Sequence, residues 1–321
     1  MRYIMVVGLT VVLFSLIVQW RARAREMAAE AAYPPVGQIL SVEGVQVHAQ
    51  VMGEGPDLIL IHGASGNVRD FTFDFAQRLT ERYRVVIFDR PGLGWTDRAN
   101  DAYRGAWNTN AEPPLVQANI LNKAAQQLGV IDPIVLGHSF GGAVAMAWAL
   151  EHDPAAVVMV AGVANPWPGD LGWLYQVNSS SLGGALFVPI LSAFTPQSVV
   201  ADTLGSIFEP AKPPDGYLDH VGPGLTLRRQ TLRANARQVN YLKPHITDMS
   251  KRYKDILIPL EMVHGDADTI VPMRIHSEPL SEQVEGANLT IVPNAGHMPH
   301  HSHPEAVIEA IDRAAARAGL R

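Results

Sequence analysis

Eighteen residues, 3–20 (YIMVVGLTVVLFSLIVQW), pass without a charge. As a helix rising about 1.5 Å per residue, that run reaches roughly 27 Å, the thickness of a bilayer core. Beyond it the pattern changes to short apolar blocks between breaks rich in glycine and proline. Residues 45–51 (VQVHAQV) alternate, as a half-exposed strand does. Residues 57–61 (DLILI), 85–88 (VVIF), 133–136 (PIVL), 156–160 (AVVMV), 258–263 (IPLEMV) and 289–292 (LTIV) are nearly continuous apolar runs. Strands covered on both faces read that way. Helical patterns occupy residues 117–128, 140–152 and 304–318, the last opening on Pro304, which suits a first turn. Alternating strands and helices predict an α/β fold with a mostly parallel central sheet and helices on both faces.

Residues 166–249 break the alternation, having no clear strand signal. Within them residues 171–201 carry no Asp, Glu, Lys or Arg, yet include Trp173, Tyr175, Phe187 and Phe194. An insertion of this length into an α/β sheet is most simply a helical cap. Most of its aromatics are expected to be packing residues, and some to line an apolar substrate pocket. The chain divides into an N-terminal transmembrane or signal-anchor segment (1–25), a linker (26–38), a core (39–165 and 250–321) and the cap (166–249).

Composition narrows the classes. With 47% hydrophobic and 17% charged residues, the 321-residue chain can bury a large core, and its net charge of -6 argues against nucleic acid as a partner. It has no cysteine, which excludes disulfides, thiolate metal sites and a cysteine nucleophile. The N-terminal run has two readings. A cleaved signal peptide normally has a shorter apolar region with a small-x-small site close behind; here RARARE follows, and Ala29-Glu30-Ala31 lies well downstream. An uncleaved anchor is the reading preferred. Arg21, Arg23 and Arg25 outnumber Arg2 and the amino terminus, so the positive-inside tendency favours a cytoplasmic body over an external one.

The main chemical signal is Gly137-His138-Ser139-Phe140-Gly141, between a buried strand and an alanine-rich helix. G-x-S-x-G at such a turn holds a serine in a strained backbone with its hydroxyl above the sheet edge. Ser139 is the candidate nucleophile. After residues 57–61, the turn His62-Gly63-Ala64-Ser65-Gly66 offers a backbone N–H, so an oxyanion would be held by Phe140 N–H and Ala64 N–H. His62, at the start of that turn, is assigned a structural role. Serine needs a base, and the base a carboxylate to fix its tautomer. His264-Gly265-Asp266-Ala267-Asp268 supplies two competing carboxylates, and Ala295-Gly296-His297 supplies the base in the chain order serine, acid, histidine.

Five stretches in order, HGASG, FDRPGLGWTD, GHSFGG, HGDADTIVP and NAGHMPHHSHPE, resemble the alpha/beta-hydrolase superfamily in its cap-bearing form. The resemblance covers residues 44–318 apart from the cap. It implies an alpha/beta-hydrolase fold and a triad acid directly before a short x-hydrophobic-hydrophobic-Pro run, which selects Asp268, ahead of Thr269-Ile270-Val271-Pro272, over Asp266. It also implies that residues 89–95 form a structural turn in which Asp89 and Arg90 brace loops.

The expected activity is hydrolysis of a carboxylic ester or lactone by Ser139, His297 and Asp268 through an acyl-enzyme, with no cofactor and no metal. The expected substrate is a small apolar acyl compound. Carbon–carbon bond hydrolysis, perhydrolysis and acyl transfer could use the same triad, and a non-catalytic binding scaffold is the reading from another class. Arg229, Arg233 and Arg237 recur every four residues, a solvated helix face or a contact for anionic lipid headgroups. Of the clustered His297, His300, His301 and His303, only the first is expected to be indispensable. Metal pairs within that tract (His297 with His301, or His301 with His303) have no further ligand at a recognised spacing.

Overall fold

The computed structural model describes residues 2–321. Eight strands among them form one sheet: β1 (Gln38–Val42), β2 (Val45–Met52), β3 (Asp57–Ile61), β4 (Arg84–Phe88), β5 (Ile134–His138), β6 (Ala156–Val160), β7 (Leu260–Gly265) and β8 (Asn288–Val292). Their order is β1-β2-β4-β3-β5-β6-β7-β8; β2 runs antiparallel to β1 and β4, and the pairs from β4–β3 to β7–β8 are parallel. This is the alpha/beta-hydrolase fold expected from the sequence. β1 (QILSV) lacks an apolar run because it is an edge strand, mostly exposed, and the sequence pattern does not mark it.

Alternation along the central strands feeds two cores. Ile59 and Ile61 of β3 pack with Ala118, Leu121 and Ala124 of the helix Pro114–Gln127 and with Val144 and Trp148 of the helix Phe140–His152. Leu58 and Leu60 face the other way, onto Phe71, Phe75 and, from the helix Pro304–Arg317, Val307 and Ile311. Each such fully buried side chain contributes about 1.5–3 kcal/mol of transfer free energy. β7 extends two residues beyond the apolar pattern, because His264 and Gly265 still pair with Ile291 and Val292.

The N-terminal helix runs from Arg2 to Ala32, about 46 Å at the standard rise. It is the one helix among the described residues long and apolar enough to cross a membrane. Residues 26–32, expected to be linker, are its last turns; glutamate, methionine and alanine are strong helix formers, and Tyr33-Pro34-Pro35 ends the run. These turns pack on the cap. Glu26 pairs with Arg229 at 2.7 Å and Glu30 with Arg228 at 3.1 Å, while Arg21 and Arg25 donate to the Ala193 and Thr195 carbonyls.

Between residues 173 and 250 the chain is helical, with longer segments at Gln197–Phe208 and Arg229–Asn240. Trp173 stacks near Phe187, Arg21 lies over Phe194, and Trp173 and Phe194 are both exposed. The arginine stripe is not the solvated helix face expected of it: Arg233 and Arg237 are buried and donate to backbone carbonyls.

Candidate active site

The carboxyl ends of β3, β5, β7 and β8 point to one edge of the sheet, where α/β folds place their chemistry. Ser139 follows β5 directly with φ 53° and ψ −118°, a conformation that costs a non-glycine residue roughly 1–3 kcal/mol. Three hydrogen bonds hold it: Ser139 N–H to the Val160 carbonyl at 3.0 Å, and the Gly142 and Val163 N–H groups to the Ser139 carbonyl at 2.9 and 3.1 Å. The flanking glycines have steric causes. A Cβ on Gly137 would overlap the Gly141 carbonyl, and one on Gly141 would overlap the Ile61 carbonyl at the end of β3.

His297 and Asp268 come together from the loops after β8 and β7. His297 Nδ1–H donates to Asp268 Oδ2 at 2.8 Å, both side chains being buried. The other carboxylate oxygen accepts the N–H groups of Ile270 and Val271 at 2.8 and 3.0 Å. His264 completes the shell. Its Nε2–H donates to the Val271 carbonyl at 2.7 Å and lies 3.2 Å from Asp268 Oδ2, while Nδ1 accepts from Ser277 Oγ at 2.7 Å. Burial alone would raise the Asp268 carboxyl. The hydrogen bonds from His264 and His297, the His297 ring itself and the Val271 N–H outweigh it and hold the carboxyl well below its ordinary range. Asp266 is exposed and accepts the Asn294 N–H at 2.7 Å, a brace between the two loops.

Ala64 and Phe140 lie at the same edge, and neither N–H has an acceptor among the described residues. The Gly63–Ala64 peptide is clamped from its other side. Gly63 C=O accepts from Arg90 Nη2 at 3.0 Å and from His62 Nδ1 at 2.9 Å, and a trans peptide turns the Ala64 N–H the opposite way. Arg90, wholly buried, also donates to the His62 carbonyl, to Gln117 and to Gln238, and its guanidinium lies 4.1 Å over the Phe140 ring. His62 Nε2 accepts the Arg90 N–H at 3.0 Å, so both ring nitrogens are engaged; burial, with Arg90 beside it, lowers the imidazole to about 4. It is structural, as its place in the turn implies. Asp89 accepts from His48, Val68 and Trp95 and fixes the residue 89–95 turn.

The rest of the histidine tract separates cleanly. His300 and His301 close on Asp70, with His301 Nε2 at 2.8 Å from Oδ1 and His300 Nε2 at 3.3 Å from Oδ2; Tyr217 of the cap donates to Oδ1 at 2.7 Å. His303 is exposed beside Ser302. Among the described residues, Asp70, His300 and His301 are the one group whose ligand atoms converge, within 4.8 Å of one another. Hydrogen bonds already engage them, so the trio works as a latch from cap to core. Burial would raise the Asp70 carboxyl; His300 and His301 outweigh it and carry it well below its usual range. His300 is lowered to about 4 by burial and by His301.

Sequence patterns did not mark four contributors. His138 Nε2–H donates to the His297 carbonyl at 2.9 Å and so fixes the backbone of that loop, but it occupies the unspecified position of G-x-S-x-G. Burial, with His300 and His297 adjacent, keeps it well below the imidazole range, so it stays neutral. Asp70 and Tyr217 are 147 positions apart in the chain. The fourth, Asn235, bonds the Ser65 N–H and hydroxyl from the cap.

A family model described as Alpha/beta hydrolase family matches residues 58–310. The chain is 25% identical over 285 residues to a pimeloyl-[acyl-carrier protein] methyl ester esterase of Aeromonas hydrophila, covering 84% of this chain and 98% of that one. It is 24% identical over 291 residues to a 2-hydroxymuconate semialdehyde hydrolase of Pseudomonas putida, covering 87% and 94%. Among solved structures, a membrane phospholipase A described as a bacterial virulence factor superposes with a TM-score of 0.66 at 20% identity, covering 97% of this chain and 96% of that one.

Proposed function

The chain belongs to the alpha/beta hydrolase family, whose esterases and hydrolases it resembles, and from that premise we propose that it is a serine hydrolase of carboxylic esters or lactones. The observation that carries this is the buried His297–Asp268 pair, 2.8 Å apart, at the sheet edge that holds Ser139 in its strained turn. Ser139 Oγ attacks the acyl carbon. His297 Nε2 takes its proton, since Nδ1–H is held by Asp268, and then delivers that proton to the leaving alkoxide. Asp268 stays ionised, its low carboxyl range favouring the state that supports an imidazolium. The Ala64 and Phe140 N–H groups, free of other acceptors, receive the oxyanion. Water activated by His297 then resolves the acyl-enzyme.

The N-terminal helix is proposed as an uncleaved membrane anchor, because its charge-free run spans a bilayer core and its last turns are ion-paired to the cap. Partition of the full chain into a carbonate-washed membrane fraction tests that. For the activity, the full chain is assayed in nonionic detergent on short and medium p-nitrophenyl esters. Turnover that survives Ser139→Ala at the wild-type rate would sink the proposal. Similarity to a 2-hydroxymuconate semialdehyde hydrolase leaves room for hydrolysis of a bond other than an ester, and carbon–carbon bond hydrolysis is the second reading; a vinylogous diketone turned over faster than any ester would favour it.

A further inference from the structure

A cavity of about 600 Å³ lies between the N-terminal helix, the cap and the residue 92–106 segment, and six arginines line it. None of the triad residues does. Four of the six have carboxylate partners: Arg98 with Glu112 at 2.5 Å, Arg104 with Asp101 at 3.1 Å, Arg228 with Glu30 at 3.1 Å and Arg229 with Glu26 at 2.7 Å. Arg233 and Arg237 have none among the described residues. Their outer nitrogens donate to carbonyls of Asn178, Ser180, Asn108, Tyr103 and Gly105, and the Nε–H of each lacks any acceptor. Both side chains are buried, at 4% and 0% exposure.

Two buried guanidinium charges without a salt-bridge partner are costly, and carbonyl dipoles answer only part of the cost. The strain shows in their acidity. Burial first, then Arg233 and Arg98, lower Arg237 to about 9; burial first, then Arg98, lower Arg233 to about 10. An anion in the cavity relieves this. Planar guanidinium groups suit phosphate oxygens, which accept several charge-assisted bonds at once.

We propose that this cavity is a binding site for a phosphate group, distinct from the Ser139 centre. Its place suits that ligand. Gln19, at the end of the uncharged run, lines it together with Glu26 and Glu30 of the same helix, so it opens at the level where a bilayer surface would lie. The ligand is a phosphate mono- or diester anion, carried either by an anionic lipid headgroup or by a soluble phosphorylated molecule.

The test uses the full chain and a melting readout, independent of hydrolysis. One arm adds inorganic phosphate in nonionic detergent against chloride at equal ionic strength. The other compares nanodiscs of phosphatidylglycerol with nanodiscs of phosphatidylcholine. Binding near saturation raises the midpoint by about 5 °C. Ala106 is exposed, lines the cavity and clamps nothing, so Ala106→Glu places a carboxylate there without removing a brace. We expect that variant to abolish the shift, and Arg237→Gln, if it folds, to reduce it. A shift with soluble phosphate assigns a soluble ligand, and one only with phosphatidylglycerol assigns a headgroup. No shift in either arm overturns the proposal. So does a shift of equal size in Ala106→Glu, which would be the general stabilisation that phosphate salts give any fold.

Discussion

Replacing Asp268 by asparagine keeps the shape of the site and removes its chemistry. Two N–H groups, from Ile270 and Val271, already converge on Oδ1 at 2.8 and 3.0 Å, so the amide oxygen takes that position. The amide nitrogen then stands where Oδ2 was, facing His297 Nδ1. That nitrogen must give up its proton to accept the new donor, and the proton moves to Nε2, the atom that has to receive the serine proton. The same NH2 group also meets the His264 Nε2–H, a donor against a donor, at the present 3.2 Å. A wrong tautomer in a serine triad lowers kcat by about 10⁴, or about 5.4 kcal/mol of transition-state stabilisation. Loss of the hydrogen bond to a charged acceptor costs about 1.5–3 kcal/mol of fold stability, small enough to leave a folded chain to assay. Asp266→Asn is the control: the residue is exposed, and an amide oxygen still accepts the Asn294 N–H. Kinetics on a p-nitrophenyl ester, with melting curves for both variants, decide it. If Asp268→Asn keeps more than about a tenth of kcat, a loss far short of the tautomer argument, or if the two variants fall equally, the reasoning is refuted.

Three further outcomes follow from the same geometry. Gly141→Ala puts a methyl against the Ile61 carbonyl and should lower stability by about 3 kcal/mol or more, whereas Gly205→Ala, in the open interior of the helix Gln197–Phe208, should raise it by about 0.5–1 kcal/mol; melting curves that move the other way would contradict the steric account. His62, His276 and His300 are lowered to about 4, by burial first and then by Arg90, His264 and His301 respectively. The unfolded chain therefore takes up protons below about pH 6.5 that the fold refuses until about pH 4, so stability is full above that window and falls by about 1.4 kcal/mol per pH unit for each ring as pH drops through it. A melting midpoint unchanged between pH 7 and pH 5 would contradict this. Lastly, His297→Ala should abolish turnover, His303→Ala should leave it at the wild-type level, and His301→Ala should loosen the Asp70 latch, seen as a lower melting midpoint with turnover retained at low temperature.

The sequence announced those parts of the fold that depend on local pattern. Continuous apolar runs marked β3 to β7, since strands buried on both faces need them, and a shorter run marked the partly exposed edge strand β8, whereas the edge strand β1 left no trace. The proposed triad of Ser139, His297 and Asp268 was legible because each follows a strand end in a fixed order. The supporting groups were not, because they act across the chain. Asp70 meets His301 and, from the cap, Tyr217 only in the assembled fold, and His138 matters through a carbonyl 159 positions away. The arginine repeat was visible as a stripe, but its fate was not. Helical spacing aligns Arg229, Arg233 and Arg237 without saying that Glu26 and a set of backbone carbonyls wait for them. The histidine count was the reverse case, a conspicuous feature whose members serve separate purposes.

Everything proposed for this site turns on one strained serine acting as the nucleophile. Incubating the full chain in detergent with a fluorophosphonate, followed by peptide mass spectrometry, tests it directly. The expected result is a single stoichiometric adduct on Ser139, formed in step with loss of esterase turnover and slowed strongly in His297→Ala. Complete inactivation with the adduct on another residue, or full turnover by a chain that stays unlabelled, would contradict it.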